Sequence, residues 1–564
     1  MEKIWLKSYP EGVPAEIDLR AHASLKDILE QSCGRYAALP AFSNMGTTMT
    51  YGQLDGMSRA FGAYLQGSVG LSKGDRVAIM MPNLLQYPVT LFGALRAGMT
   101  VVNVNPLYTP RELQHQLADS GARVIVVLEN FANTLQQVLD RTSVEHVLTT
   151  RIGDLLSFPM STITNLVVKY VKGMVPDWNI PKAVDLRRAL EGGQLAPVEV
   201  TQDDVAFLQY TGGTTGVPKG AVLTHGNMVA NLQQTAAWIG QNLKEGGETV
   251  ITALPLYHVF SLTANLLTFL KIGAHNVLIT NPRDIPGFIK ELKKVEFTAI
   301  TGVNTLFNAL LNAPGIRDVK AGGLKIAVGG GMAVQRAVAE RWKEVFGVPL
   351  IEGYGLTETS PIVCANLLDA QDFTGTIGLP LPSTEVSIRD DSGVEVALGE
   401  VGEICVRGPQ VMKEYWHKPE ETAKVFTADG WFRTGDMGFM DERGFVKLVD
   451  RKKDMILVSG FNVYPNEVED VVMTHPGVLE VAAIPVADER SGEAVEIVVV
   501  KKDPALTEAD LIKHCKEHLT GYKVPRKVVF RTEPLPKTNV GKILRRVIKE
   551  EEATKAAGGQ RAAA

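Results

Sequence analysis

One loop constrains this chain more than any other stretch: residues 210–220, with the sequence Tyr-Thr-Gly-Gly-Thr-Thr-Gly-Val-Pro-Lys-Gly. It directly follows the apolar run Val205–Leu208, whose composition predicts a buried strand. Glycines leave backbone N–H groups open to an anion, hydroxyl groups donate further hydrogen bonds, and Lys219 adds a positive charge. The loop therefore predicts a phosphate-binding site rather than a flexible surface turn. A Walker A motif is excluded because proline precedes the lysine and glycine follows it.

Length and composition indicate a large globular protein of two or more domains. The 564 residues exceed what one hydrophobic core organises, and 45% hydrophobic with 21% charged residues is typical of soluble proteins. A formal net charge of −5 argues against a general nucleic-acid binder, so we expect no nucleic-acid partner. Four scattered cysteines give no zinc signal, and together with a start that lacks a signal peptide they favour the cytoplasm.

Alternating helical and strand patterns predict an α/β fold with parallel sheets covered by helices. Residues 51–66 and 86–97 have helical spacing, while residues 76–80 and 123–128 have the composition of buried strands. From about residue 451 the pattern changes to that of a smaller α+β unit. That unit has predicted strands at 481–486 and 495–500, and a capping box at 507–510 that begins a helix.

Three further segments carry side chains suited to a ligand site. His258 follows a strand end, where it either contributes to a site or is a satisfied core histidine. The strand at 325–332 stops on three glycines, which allows a flat ligand to approach the backbone. In the sequence Glu-Gly-Tyr-Gly-Leu-Thr-Glu-Thr at 352–359, an aromatic ring suits stacking on a base, and Glu358 suits a hard cation.

Residues 151–182 interrupt the α/β pattern with a short amphipathic helix. Its apolar face either packs on the body of the protein, which is the favoured interpretation, or lies on a membrane surface. The apolar positions on this face are Ile163, Leu166, Val167, Tyr170, Val171 and Met174.

These segments, in this order, resemble the adenylate-forming superfamily of acyl-CoA synthetases, luciferases and peptide-synthetase adenylation domains. Within it the chain is most similar to the bacterial long-chain fatty-acid-CoA ligases, and the likeness covers nearly the whole chain. It is carried by the long motifs at 429–436, 451–456, 458–465 and 519–525. The resemblance implies a large N-terminal domain of stacked α/β subdomains, residues 1–449, and a small mobile α+β domain, residues 450–564.

The resemblance also implies a reaction in two halves. A fatty-acid carboxylate attacks the α-phosphate of ATP, with Mg²⁺ as cofactor, to give an acyl-adenylate and pyrophosphate. The thiol of CoA then attacks the acyl carbon and expels AMP. A medium-chain or aryl-acid CoA ligase of the same superfamily is the alternative substrate class. A non-enzymatic nucleotide binder or a structural protein is disfavoured because the motif residues of the site are all in place.

Site roles follow from the same resemblance. Lys542 would contact the α-phosphate and the attacking carboxylate, His258 would border the acyl carbonyl, and Glu358 with Thr211 would bind Mg²⁺. Asp450 would be the hinge of the small domain. Nucleotide and CoA would be bound by Thr211, Gly212, Gly213, Thr214, Thr215, Gly216, Lys219, Gly330, Gly353, Tyr354, Thr357, Asp436, Arg451, Gly460 and Phe461.

The substrate pocket itself leaves a weaker signal. Amino-acid-activating relatives carry an aspartate where this chain has the apolar and aromatic residues 256–260, so an amino acid is disfavoured. Trp238, Phe260 and residues 301–304 are candidates to line an alkyl tunnel. A homodimer, and peripheral contact of a cytoplasmic protein with the inner face of the cell membrane, stay open at this point.

Overall fold

The computed structural model describes residues 2–211, 218–488 and 490–562. A seven-stranded sheet in the large domain is parallel except for its last pair of strands, which flank residues 212–217. Continuous apolar runs form its strands because both faces are buried, one in each of two hydrophobic cores. In spatial order the strands are Val184–Asp185, His146–Thr150, Val124–Leu128, Arg76–Met80, Thr100–Asn103, Val205–Thr211 and Lys219–Thr224.

A second sheet has nine strands, of which the six central ones are parallel and the outer ones antiparallel. One core joins residues of both sheets with the helices Tyr51–Gly67, Gln86–Arg96 and His225–Ile239. In spatial order the strands are Leu379–Pro380, Ile362–Ala365, Leu350–Gly355, Ile326–Gly330, Ala299–Gly302, Thr249–Thr252, His275–Leu278, Pro40–Asn44 and Thr47–Thr50.

The predictions for the first α/β region are confirmed to within one residue, at Tyr51–Gly67, Arg76–Met80, Gln86–Arg96 and Val124–Leu128. Further α-helices of the large domain are Leu25–Arg35, Pro110–Ser120, Ala132–Gln136, Met160–Leu166, Val259–Ser261, Thr268–Lys271, Ile285–Leu292, Asn304–Leu311, Arg336–Phe346 and Pro419–Val425. In the part of the chain that the structure describes, none of the helices has the length and hydropathy to cross a membrane.

An antiparallel sheet of four strands connects the large domain to the small one. Its strands are Glu385–Arg389, Gly402–Arg407, Phe432–Met440 and Val446–Arg451, so the predicted boundary after residue 449 falls inside the last strand. The small domain has a five-stranded sheet around its own core. Its elements are Ile456–Val458, Phe461–Val463, Val478–Asp488, Gly492–Lys501 and Lys527–Arg531, with α-helices Pro465–Met473, Glu508–His518 and Arg545–Ala562.

The amphipathic segment forms a helix, as predicted. The favoured prediction that its apolar face packs on the body of the protein is wrong. Met160–Leu166 is α-helical and continues as a π-helical turn, Val167–Val171, and no side chain of either is buried. Tyr170 is 73% exposed and Val171 77%, so the apolar face is open to solvent rather than packed on the body of the protein. The helical period predicts correctly which side chains share the apolar face. It does not predict whether another element packs on that face, because this depends on the tertiary structure.

Candidate active site

A cavity of about 980 Å³ lies at the ends of strands from both large sheets and reaches the small domain. Carboxyl ends of parallel strands are where α/β folds bind ligands. Most of the predicted site residues line it: Thr211, Lys219, His258, Gly330, Gly353, Tyr354, Thr357, Glu358, Arg451 and Lys542. Residues Gly212, Gly213, Thr214, Thr215 and Gly216 lie outside the described residues.

The glycine strand end forms a slot without side chains. Gly330 pairs with Gly353 across neighbouring parallel strands. A Cβ atom at Gly330 would lie 3.0 Å from the Gly353 carbonyl oxygen and 3.0 Å from the ring of Phe260. Only glycine therefore keeps this wall flat, beside the buried ring of Tyr354.

Asp436 and Arg451 come together because their strands pair directly. The Asp436 carboxylate is buried; it accepts a hydrogen bond of 2.7 Å from the Tyr354 hydroxyl and lies 3.2 Å from Arg451 Nε. Burial raises the pKa of Tyr354 well above its ordinary value, so the hydroxyl remains a donor. Tyr354 and Arg451 line the cavity, whereas the predicted Asp436 does not line it but contacts both of them.

Two residues that the sequence did not single out hold the predicted Glu358 and Lys219. The Tyr415 hydroxyl donates a 2.6 Å hydrogen bond to Glu358, whose pKa is raised because burial outweighs that bond. Lys219 pairs with Glu421 and lies 5.0 Å from the centre of the Tyr415 ring. Neither partner belongs to a recognisable motif, and both are about 200 residues from Lys219.

His258 contributes a half-buried, neutral ring to the wall of the cavity. Its Nδ1 accepts a 3.3 Å hydrogen bond from the backbone N–H of Phe260. Burial, reinforced by the nearby Lys542 ammonium, lowers the pKa of His258 to about 4. The ring is therefore uncharged at neutral pH.

Lys542 reaches the cavity from a loop of the small domain. The Thr538 N–H donates a 2.7 Å hydrogen bond to the Lys542 carbonyl, which closes the loop. Burial, together with the neighbouring Arg451, lowers the pKa of Lys542 to about 8, and Asp436 partly opposes this. The small domain is thus docked with its lysine close to His258 and Asp436.

Asp450 is held by the small domain on every side. Its Oδ2 accepts a 2.8 Å hydrogen bond from the N–H of Asn466, and its Oδ1 lies 3.3 Å from the guanidinium of Arg545. Burial raises the pKa of Asp450, while Arg545 opposes the rise. Arg545 also pairs with Glu469 at 2.6 Å. The sequence analysis did not single out Arg545.

Gly460 and Phe461 do not line the cavity in this orientation. Gly460 lies in the turn between the strands Ile456–Val458 and Phe461–Val463, and Phe461, the first residue of the second strand, is 57% exposed. Its ring stacks on Tyr522 with centroids 4.9 Å apart.

An apolar branch of the cavity runs between the helix His225–Ile239 and the strands of the nine-stranded sheet. Trp238, Phe260, Thr301 and Val303 line it as expected, whereas Gly302 and Asn304 do not. Further lining side chains that the sequence analysis missed are Ile239, Phe269, Ala299, Ile326 and Leu368. Single apolar residues on five separate elements leave no local pattern, so only the fold assembles this branch.

Comparisons with known proteins find relatives that match nearly the whole chain. A family model described as AMP-binding enzyme matches residues 29–416, and one for the AMP-binding enzyme C-terminal domain matches residues 467–542. A long-chain-fatty-acid–CoA ligase of Escherichia coli O157:H7 is 60% identical over 98% of both chains. A feruloyl-CoA synthase of Amycolatopsis sp is 35% identical over 89% of this chain and 93% of its own. The crystal structure of an anthranilate CoA ligase with anthranoyl-AMP matches with a TM-score of 0.86 at 25% identity, over 96% of this chain and 100% of the other.

Proposed function

Because the chain belongs to the family of AMP-binding enzymes, we propose that it is a long-chain-fatty-acid–CoA ligase. It converts a long-chain fatty acid and ATP to an acyl-adenylate and pyrophosphate, and then transfers the acyl group to CoA with release of AMP. The observation that carries this assignment is 60% identity over nearly the full length to a ligase of that name. The cavity supports it, because a cationic and hydroxyl-rich end continues into an apolar branch.

The test of the substrate class is formation of acyl-CoA from a panel of acids. Each buried CH₂ contributes about 0.8 kcal/mol, so kcat/KM should rise with chain length until the apolar branch is filled. Hexadecanoate should therefore exceed octanoate and acetate. A coumarate-type acid as the best substrate would replace the assignment with the aryl-acid alternative, to which the feruloyl-CoA synthase is the relevant relative.

Adenylation brings like charges together, and the cationic side chains of the cavity offset them. Lys542 stabilises the negative charge that accumulates as the fatty-acid carboxylate attacks the α-phosphate, and Thr357 donates to the same phosphate. Neutral His258 borders the acyl carbonyl without adding charge. Lys219 and the loop at 211–216 hold the β- and γ-phosphates, for which Lys219 exchanges its carboxylate partner Glu421.

The adenosine half occupies the glycine slot. Its base stacks on Tyr354 against Gly330 and Gly353, and its ribose hydroxyls donate to Asp436, with Arg451 alongside. Among the described residues, Tyr354 contacts one Asp436 oxygen and Arg451 the other, and each carboxylate oxygen can accept a further hydrogen bond from these hydroxyls.

Glu358 and Thr211 would hold a Mg²⁺ ion beside the phosphates. Both line the cavity and offer the oxygen donors that Mg²⁺ prefers. Among the described residues no group of three or more His, Cys, Asp or Glu side chains could hold a metal alone. A site with so few protein donors suits a Mg²⁺ ion whose other ligands would be water and phosphate oxygens. When bound, the ion neutralises part of the phosphate charge.

The second half-reaction uses a different orientation of the small domain. The docked orientation places Lys542 in the cavity and leaves Gly460 and Phe461 outside it. Rotation about Asp450, at the end of the large domain of residues 1–449, withdraws Lys542 and brings Gly460 and Phe461 toward the pantetheine of CoA. One cavity thereby serves two reactions in turn.

Adenylation should depend on pH through Lys542. Lysine is cationic below its pKa, which burial lowers from 10.5 to about 8, so the free enzyme loses the charge as pH rises through 8. We expect kcat/KM for hexadecanoate-dependent pyrophosphate exchange to fall about tenfold per pH unit above that value. In Lys542→Arg the guanidinium stays charged, so this alkaline limb should disappear. Parallel profiles for the two proteins would exclude Lys542 as the titrating group.

The exposed apolar face provides a membrane contact suited to a lipid-derived substrate. This apolar surface consists of Phe158, Met160, Ile163, Leu166, Tyr170, Val171 and Met174, each at least 46% exposed. Between residues 155 and 176 the charged side chains are Lys169 and Lys172, with no acidic residue. An apolar face with only basic charges matches the inner face of a membrane that carries anionic lipids.

The double variant Tyr170→Asp, Val171→Asp should bind vesicles of mixed neutral and anionic phospholipid about tenfold more weakly than wild type, because two apolar contacts are lost and two like charges added. Val394→Asp, at a valine on a different surface that is 62% exposed, is the control. Vesicle sedimentation measures both. Loss of a homodimer by the double variant, with unchanged vesicle binding, would instead make this face a subunit interface.

A further inference from the structure

The segment Val303–Thr305 of the large domain contacts the loop that carries Lys542. The Thr305 hydroxyl donates a 2.9 Å hydrogen bond to the carbonyl oxygen of Gly541, the residue before the lysine. Gly541 has φ +89°, and a Cβ there would lie 2.7 Å from Thr305 Oγ1 and 3.0 Å from Val303 Cγ2. The backbone of the lysine loop therefore rests directly on this segment, at a distance that only glycine permits.

The same segment is fixed to the large domain from its other side. Asn304 donates a 2.7 Å hydrogen bond to the Gln335 side chain and accepts one of 3.0 Å from the Gln335 N–H. Gln335 follows the glycine strand end, and the preceding Val334 N–H donates a 3.0 Å hydrogen bond to the buried Glu352. Two hydrogen bonds to Gln335 thus fix Asn304, the residue before Thr305, at the start of the helix Asn304–Leu311.

Other hydrogen bonds across this interface are farther from the lysine. Asn308 donates to the Leu479 carbonyl at 3.2 Å, Arg283 to Asn539 at 3.2 Å, and the Arg336 N–H to Asp470 at 3.3 Å. Thr305 alone of these donors acts on the residue adjacent to Lys542, and its bond is the shortest of the four.

We infer that Thr305 is a positioning residue for adenylation, which sets the depth of Lys542 in the cavity through the Gly541 carbonyl. This inference rests on the proposed two-step ligase reaction. Its contact exists only while the small domain is docked, so it should act on the half-reaction that uses Lys542 and not on the one that follows rotation. No contact between Thr305 and a substrate is involved.

The test is Thr305→Val, which keeps the shape of the side chain and removes its donor. We expect acyl-adenylate formation from hexadecanoate and ATP to slow roughly three- to tenfold, the effect of one lost hydrogen bond. Thioester formation from supplied hexadecanoyl-adenylate and CoA should stay within twofold of wild type, as an approximate bound. Thr305→Ser restores the donor and should recover most of the adenylation rate.

Thr142→Val is the matched control, since it removes the same kind of hydroxyl donor where the bond, to the Leu139 carbonyl, lies within the large domain. It should leave both half-reactions unchanged. Equal losses of both halves in Thr305→Val, or no recovery in Thr305→Ser, would overturn the inference and indicate a structural role. Absence of adenylation in the wild type would count against the ligase assignment itself, so the two failures are distinct.

Discussion

Lys542→Ala should slow acyl-adenylate formation by about 10²–10³, the loss expected when one preorganised donor to a developing negative charge is removed. The ammonium is a cation that the small domain inserts into the cavity, close to Asp436 and His258. Alanine leaves the loop closure intact, because Thr538 bonds to the backbone of residue 542. Pyrophosphate exchange with hexadecanoate and ATP measures this step.

The same variant should retain thioester formation from supplied hexadecanoyl-adenylate, since the proposed rotation of the small domain withdraws Lys542 from the cavity before CoA reacts. Lys513→Ala, on an exposed face of the small domain, controls for loss of a lysine as such. Adenylation unchanged in Lys542→Ala would contradict the role of the lysine and restore the hypothesis of a nucleotide-binding protein without ligase activity.

Asp450→Pro should have the opposite signature, a loss of about 100-fold in thioester formation with much less effect on adenylation. Proline fixes φ near −65° and so restricts rotation at the hinge. The Asp450 carboxylate also contributes to the docked orientation, because it accepts a hydrogen bond from Asn466 and lies close to Arg545. Removing it should slow adenylation several-fold, as an order-of-magnitude estimate from the lost hydrogen bonds.

Asp450→Ala is therefore the control that separates the two effects. It loses the same carboxylate as the proline variant but keeps a flexible backbone. Single-turnover rates of each half-reaction in both variants isolate the contribution of rotation. If alanine and proline slow thioester formation equally, residue 450 is not the hinge.

The sequence predicted the fold class and the motif residues that line the cavity, because both depend on local patterns. The run Val124–Leu128 is apolar throughout, so a buried parallel strand follows from five adjacent residues. Gly330 and Glu358 lie in short motifs, in which glycine suits the close approach of a flat ligand and glutamate suits a hard cation. Tyr415 and Arg545 could not be found this way, since each acquires its partner through long-range folding: Tyr415 meets Glu358 and Arg545 meets Asp450.

The amphipathic segment is a second case in which the sequence does not predict a long-range contact. Its period indicates which side chains share a face, but burial depends on whether another element packs there. Tyr170 and Val171 have no such neighbour and are more than 70% exposed. An exposed apolar face is informative because single-chain proteins rarely leave a continuous one uncovered.

The most direct test of the central claim is pyrophosphate exchange into ATP, without CoA, in the presence of hexadecanoate. The account predicts exchange that requires the fatty acid, followed on addition of CoA by discharge of the bound adenylate to hexadecanoyl-CoA and AMP. Exchange with no acid in the panel, or thioester formed without prior release of pyrophosphate, would contradict it.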